Sequence, residues 1–186
     1  MSLFAQIAED WRSHGRDWTR PGFRAVATHR FGQWRQKLRW KIVRAPMSMI
    51  YRAMYRRCRN VYGIEIPQTA RIGRRVVFEH QGGIVIHPDA VIGDECIIRQ
   101  GVTLGVRRAN VQEAPILAIG VDVGAGAKIL GPVRVGNRAT IGANAVVLCD
   151  VPDGATAVGV PARIIPRGLD ARARSWASVE ASGRPA

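Results

Sequence analysis

At 186 residues and 47% hydrophobic content, the chain is long enough for one ordinary domain with an appendage. Its net charge of +14 is lopsided: residues 1–61 hold 14 Lys and Arg against 3 acids, and the remainder 14 against 11. No apolar run approaches membrane-spanning length and no signal-peptide pattern opens the chain, so a cytoplasmic protein is expected.

The N-terminal third reads as helix. Leu3, Phe4, Ile7, Ala8 and Trp11 recur at helical spacing, and so do Phe23, Ala27, Phe31, Trp34, Leu38 and Ile42 after the helix-initiating "RPG". Pro46 is expected to close that second helix. Met47, Ile50, Met54, Cys58 and Val61 then form a third stripe, opposite Arg52, Arg56 and Arg59. The basic surface suits anionic lipid or an acidic glycan. A nucleic-acid partner is not expected, because the aromatic residues do not alternate with arginines on one face. Cys58, Cys96 and Cys149 are odd in number and far apart, with no histidine at zinc spacing. They read as small buried apolar residues, with neither a disulfide framework nor a metal.

From residue 66 the period becomes six: Ile66, Ile72, Phe78, Ile84; then, after a two-residue shift, Ile86, Ile92, Ile98, Leu104; then Leu117, Val123, Ile129, Val135, Ile141, Val147. Four residues after most of these stands a small or β-branched residue, such as Ala70, Gly82, Cys96, Ala127 or Ala145. Hexapeptide repetition is the pattern of a parallel β-helix, a prism with faces of about six residues and coils of about eighteen. Gly73, Gly93, Gly124, Gly136 and Gly142 suit its corners. The fold class is therefore mainly β, with residues 1–62 helical, 63–166 the prism, 105–116 an extruded loop, and 167–186 a tail without periodicity that is expected to be mobile.

One stretch departs from the apolar rhythm: "VFEHQGGIVIH" places Glu79 and His80 before two glycines. An imidazole that titrates near neutral pH beside a carboxylate and small residues suits a catalytic base, and equally a solvated histidine at a corner. A zinc site would need more histidines than His80 and His87, the two that the array contains.

The run "GIEIPQTARIG", "VFEHQGGIVI", "GAGAKILGPVRVGNRATIGANAVVL" and "GVPARII", with "PGFRAVATHRFGQW" upstream, resembles the serine acetyltransferase branch of the left-handed β-helix acyltransferases. The resemblance implies acetyl transfer from acetyl-CoA to a hydroxyl, without metal, at a site between subunits of a homotrimer. It puts His80 at the catalytic-base position. Glu65 takes the place of an orienting aspartate and Glu79 that of an aspartate touching the acceptor, and either acid could orient the imidazole. An eighteen-residue coil would stack Glu65 beneath Gly83. Asp17 falls among substrate contacts. Gly105, Ala125, Thr140, Ala143, Gly159, Pro161 and Arg163 fall along the CoA path, with Thr140 where the family has a lysine.

Departures bear on the acceptor. Where members acting on free serine carry Arg-His-Pro, this chain has Glu113-Ala114-Pro115. A carboxylate facing a carboxylate is repulsive by on the order of 1 kcal/mol. Arg107 or Arg108 could compensate, meet CoA phosphates or remain solvated. The tail lacks the terminal isoleucine used to dock a sulfhydrylase, so no cysteine-synthase complex is expected. Shorter and altered in this loop, the chain looks like the serine-acetyltransferase-like proteins of bacterial polysaccharide synthesis. A sugar acceptor is therefore expected, with L-serine as the alternative.

Overall fold

The computed structural model describes residues 2–108 and 113–167; the tail from 168 and the centre of the 105–116 loop lie outside the described residues. Helix α1 (Leu3–Ser13) is capped by Ser2, whose hydroxyl accepts from the Ala5 amide at 3.3 Å. Helix α2 (Pro21–Gln36) opens with a proline at its first position, where no N–H is needed. Helix α3 (Lys41–Tyr62) stops at Gly63, which takes the left-handed conformation, φ 63°.

Pro46 does not end a helix. The break falls at residues 37–40, and Pro46 sits in the second turn of α3, where its missing N–H removes one ladder bond and the helix continues. Ile42 consequently leaves the α2 stripe and is 86% exposed. The buried face of α3 is Tyr51, Cys58 and Tyr62, while Ile50, Met54 and Val61 of the expected stripe are exposed. Cys58 and Cys96 are buried as expected; Cys149 is exposed.

Strands β1 (Ile64–Glu65), β2 (Arg71–Ile72) and β3 (Val77–Phe78) make the first coil. The second contains β4 (Ile84–Ile86), β5 (Val91–Ile92) and β6 (Ile97–Ile98), and the third β7 (Thr103–Gly105), β8 (Ile116–Leu117) and β9 (Asp122–Val123). Strands β10 (Lys128–Leu130), β11 (Arg134–Val135), β12 (Thr140–Ile141) and β13 (Val146–Val147) continue the array, and β14 (Thr156–Val158) and β15 (Arg163–Ile165) close it as an antiparallel pair. They stack into three sheets, β1-β4-β7-β10-β13, β2-β5-β8-β11 and β3-β6-β9-β12-β14-β15, the faces of the prism.

All fourteen large residues of the six-residue series are buried, and so is every small partner except Gly82. Gly73, Gly93, Gly124 and Gly136 serve close packing between coils. A Cβ on Gly93 would stand 2.5 Å from the Ala118 carbonyl oxygen, and one on Gly124 2.6 Å from the Ala143 amide.

Coil length varies, and this places the site. Lys128 pairs with Val146, eighteen residues on, but Ile64 pairs with Ile84, twenty on. The two additional residues lie in the corner Glu79–Gly83, between β3 and β4. Glu65 therefore stacks beneath Val85, not Gly83.

The helices grip the first coil through buried polar groups. Arg30 donates to the carbonyls of Ile72 (2.7 Å) and Gly73 (2.5 Å), and pairs with Asp10 at 2.9 Å in near-complete burial. Desolvation raises the Asp10 carboxyl pKa while Arg30 pulls it down. His29 Nε2 donates to the Ala70 carbonyl at 2.9 Å. The Phe78 amide donates to Nε2 of buried His14 (3.3 Å), so His14 Nδ1 carries the proton that reaches the Asp10 carbonyl (2.7 Å).

Candidate active site

The lengthened corner pushes His80 out of the prism. Its φ of 64° lies in the left-handed region, unusual for a residue with a Cβ, and the side chain is exposed. The chain is then drawn back by two bonds to the residues after α3: the Gly82 amide donates to the Tyr62 carbonyl (2.8 Å) and the Ile84 amide to the Gly63 carbonyl (2.9 Å). The strain is thus fixed by backbone on the side facing the helices.

The N-terminus of α2 completes the pocket. Gly22 lies flat on the prism, where a Cβ would come within 1.9 Å of the Phe78 carbonyl oxygen. Between the two elements opens a cavity of about 460 Å³ lined by Arg20, Pro21, Gly22, Phe78, Glu79 and His80. Among the described residues the His80 ring has no hydrogen-bonded partner.

Neither candidate acid touches it. Glu79 lines the same cavity, but its carboxylate pairs with Arg99 at 3.1 Å, one coil further on, and Arg99 also bridges to Asp122. Glu65 accepts from the Tyr55 hydroxyl at 3.1 Å. Burial, joined by that carboxylate, pushes the Tyr55 phenol up to about 12. Asp17 lies in the turn between α1 and α2, where its carboxylate accepts from the Thr19 hydroxyl (2.6 Å) and amide (2.8 Å). These bonds, the hydroxyl first, lower its pKa.

The other candidates divide between two edges of the prism. Ala125 and Ala143 share the edge of Glu79 and His80: Val123 pairs with Ile141, and the Asn144 amide donates to the Ala125 carbonyl at 2.8 Å. Gly159 follows β14 at the end of the same sheet. Thr140 lies on its outer row with Asp122 and Thr156, and Arg163 pairs with Val158 across the closing hairpin beyond the exposed Pro161. One face away, Gly105 ends β7, and Arg107, Arg108 and Glu113 lie on the edge that follows it. There Arg107 folds back to donate to the Leu130 carbonyl at 3.1 Å, while Arg108 and Glu113 are exposed.

Two residues of the site were missed in sequence. Arg99 had a signal, since it follows Glu79 by one twenty-residue coil once the two-residue shift is counted. Arg20 had none beyond opening a helix. Among the described residues no group of acids, cysteines and histidines could hold a metal ion.

Stacked six-residue faces with an imidazole raised at one corner define a left-handed parallel β-helix of the hexapeptide-repeat class. The comparisons agree: the chain is 40% identical to the serine acetyltransferase of Helicobacter pylori over 146 residues, 78% of this chain and 81% of that one. It is 40% identical to that of Synechococcus elongatus over 148 residues, 79% of this chain but 58% of the relative, so it spans little more than half of that protein. Among solved structures, the serine acetyltransferase of Brucella abortus in complex with coenzyme A matches with a TM-score of 0.75 at 32% identity, covering 88% of this chain and 68% of the other. No family model matches. The chain belongs to the serine acetyltransferase family.

Proposed function

We propose that the protein is an acetyl-CoA-dependent O-acetyltransferase in which His80 takes the proton of an acceptor hydroxyl as it attacks the thioester. One observation carries this reading: a ring with no hydrogen-bonded partner among the described residues lines a cavity of about 460 Å³ on the same prism edge as Ala125 and Ala143, where a pantetheine arm would run. Thr140, Gly159, Pro161 and Arg163 continue that line toward the nucleotide, and the relative solved with coenzyme A supports the co-substrate.

L-serine is the acceptor that the relatives' names favour, ahead of the sugar expected from sequence. A sugar or polysaccharide precursor remains a second reading, carried by Glu113-Ala114-Pro115 in the loop. That loop leaves a different edge of the prism from His80, which fits a homotrimer in which a neighbour's Gly105, Arg107, Arg108 and Glu113 approach the cavity. In this reading the acid that orients the imidazole is Glu79, which lines the same cavity, or Glu65, each after release from Arg99 or Tyr55 respectively.

A peripheral contact with anionic membrane forms part of this reading. Helix α3 carries Lys41, Arg44, Arg52, Arg56, Arg57 and Arg59 and no acid, beside exposed Trp40, Ile42, Met49 and Val61. No helix among the described residues is long and apolar enough to cross a membrane.

The test is an acceptor screen read by release of the CoA thiol, with L-serine and a panel of sugars side by side. The wild-type protein is expected to acetylate one class, and His80→Ala to lose on the order of 10²–10⁴ of the rate. Unchanged transfer by His80→Ala would remove the imidazole from the mechanism.

A further inference from the structure

The cavity beside His80 holds a cation that nothing in the proposed chemistry uses. Arg20 sits at the N-cap of α2 and lines the same space as Glu79 and His80. Its guanidinium donates no hydrogen bond among the described residues, and its one ion contact is long, 3.8 Å to Asp17. That acid is already satisfied by the Thr19 hydroxyl and amide. Other arginines near the site are committed: Arg24 to the Trp18 carbonyl and the Tyr62 hydroxyl, and Arg99 to Glu79 and Asp122. Arg20 therefore lines the cavity from the α2 side with an uncommitted, about half-exposed guanidinium that rests beside the α1–α2 turn, and a carboxylate and an imidazole line the same cavity from the prism. The positive end of the α2 dipole lies on the same side and favours an anion there.

We infer that Arg20 forms an anion subsite that holds the carboxylate of an amino-acid acceptor, with the ammonium group toward Glu79 and the β-hydroxyl toward His80. The inference rests on the reading of this cavity as the acceptor site. A zwitterion suits a cavity with a guanidinium on one wall and a carboxylate on the other, whereas a neutral sugar leaves the guanidinium without a counter-charge. Such a subsite also answers the loop: with Glu113 and Ala114 in place of arginine and histidine, the carboxylate is gripped from the helical side of the cavity.

The experiment compares L-serine with L-serinamide, which keeps the hydroxyl and ammonium but lacks the carboxylate. Arg20→Leu is expected to raise KM for L-serine about tenfold more than KM for L-serinamide, with kcat for L-serine changed less than KM, because a charge-assisted hydrogen bond is lost from the ground state as well as the transition state. Arg20→Lys should recover part of the loss. Equal effects on both acceptors, or turnover confined to neutral sugars, would overturn the subsite while leaving O-acetyl transfer intact. If the wild-type protein releases no CoA with any hydroxyl, the catalytic reading fails. Calorimetric titration of L-serine and L-serinamide into wild-type and Arg20→Leu protein then decides the subsite without turnover: preference for L-serine that vanishes in the variant supports it, and no preference refutes it.

Discussion

Arg99 stands one coil beyond Glu79 on the same edge of the prism and holds its carboxylate at 3.1 Å, with Asp122 on its other side. The pair fixes an acid beside His80 while drawing it away from the ring. Removing the cation would leave two carboxylates facing each other across one coil. Arg99→Leu is expected to lower acetyl transfer about tenfold, equivalent to roughly 1.4 kcal/mol of barrier. The three side chains are partly exposed, so the variant should lose under about 1 kcal/mol of stability. Paired kinetics and thermal melts check both outcomes, and a large fall in melting temperature would assign Arg99 a structural role.

Gly22 and Phe78 set the width of the cavity. Gly22→Ala places a methyl 1.9 Å from a backbone oxygen, so α2 must retreat from the corner that carries His80. A cost of about 1–3 kcal/mol is expected from overpacking, with a fall in activity larger than the stability change explains. Denaturant melts and turnover at a temperature where the variant remains folded separate the two effects.

His29 predicts a pH dependence of stability. Burial lowers its pKa to about 4, and its Nδ1 is buried with no partner among the described residues while Nε2 donates to the Ala70 carbonyl. Protonating Nδ1 would create a buried N–H with no acceptor. The unfolded chain takes up that proton near 6.5, before the folded one, so stability is full above 6.5 and is lost as pH falls toward about 4. The contribution is on the order of 3 kcal/mol for a shift of that size. Unfolding free energies measured across this window should fall on acidification, and His29→Gln should flatten the slope; an unchanged slope would place the titrating group elsewhere.

The basic face of α3 should sense lipid charge. Sedimentation with phosphatidylglycerol vesicles is expected to carry the protein down, and phosphatidylcholine vesicles are not. Each surface arginine contributes about 1 kcal/mol near an anionic bilayer, so Arg52→Glu, Arg56→Glu and Arg59→Glu together should weaken binding by at least about 100-fold. Indifference to vesicle charge would remove the membrane role.

The sequence alone determined the prism. Period-six burial holds at every large position because a parallel coil turns inward once per face, and that rule acts between residues six apart. The imidazole stood out for the same reason, as a polar break in an apolar count. Tertiary structure decided what depends on distant parts of the chain. The twenty-residue coil, visible in sequence only as a slip between Ile84 and Ile86, moved Glu65 beneath Val85 and raised Arg99 over Glu79. The seat of α2 on Phe78 then brought Arg20 to His80 across fifty-nine intervening positions. Ion pairs and close backbone contacts of this kind depend on how the helices dock on the first coil, a packing of shapes that no local periodicity encodes.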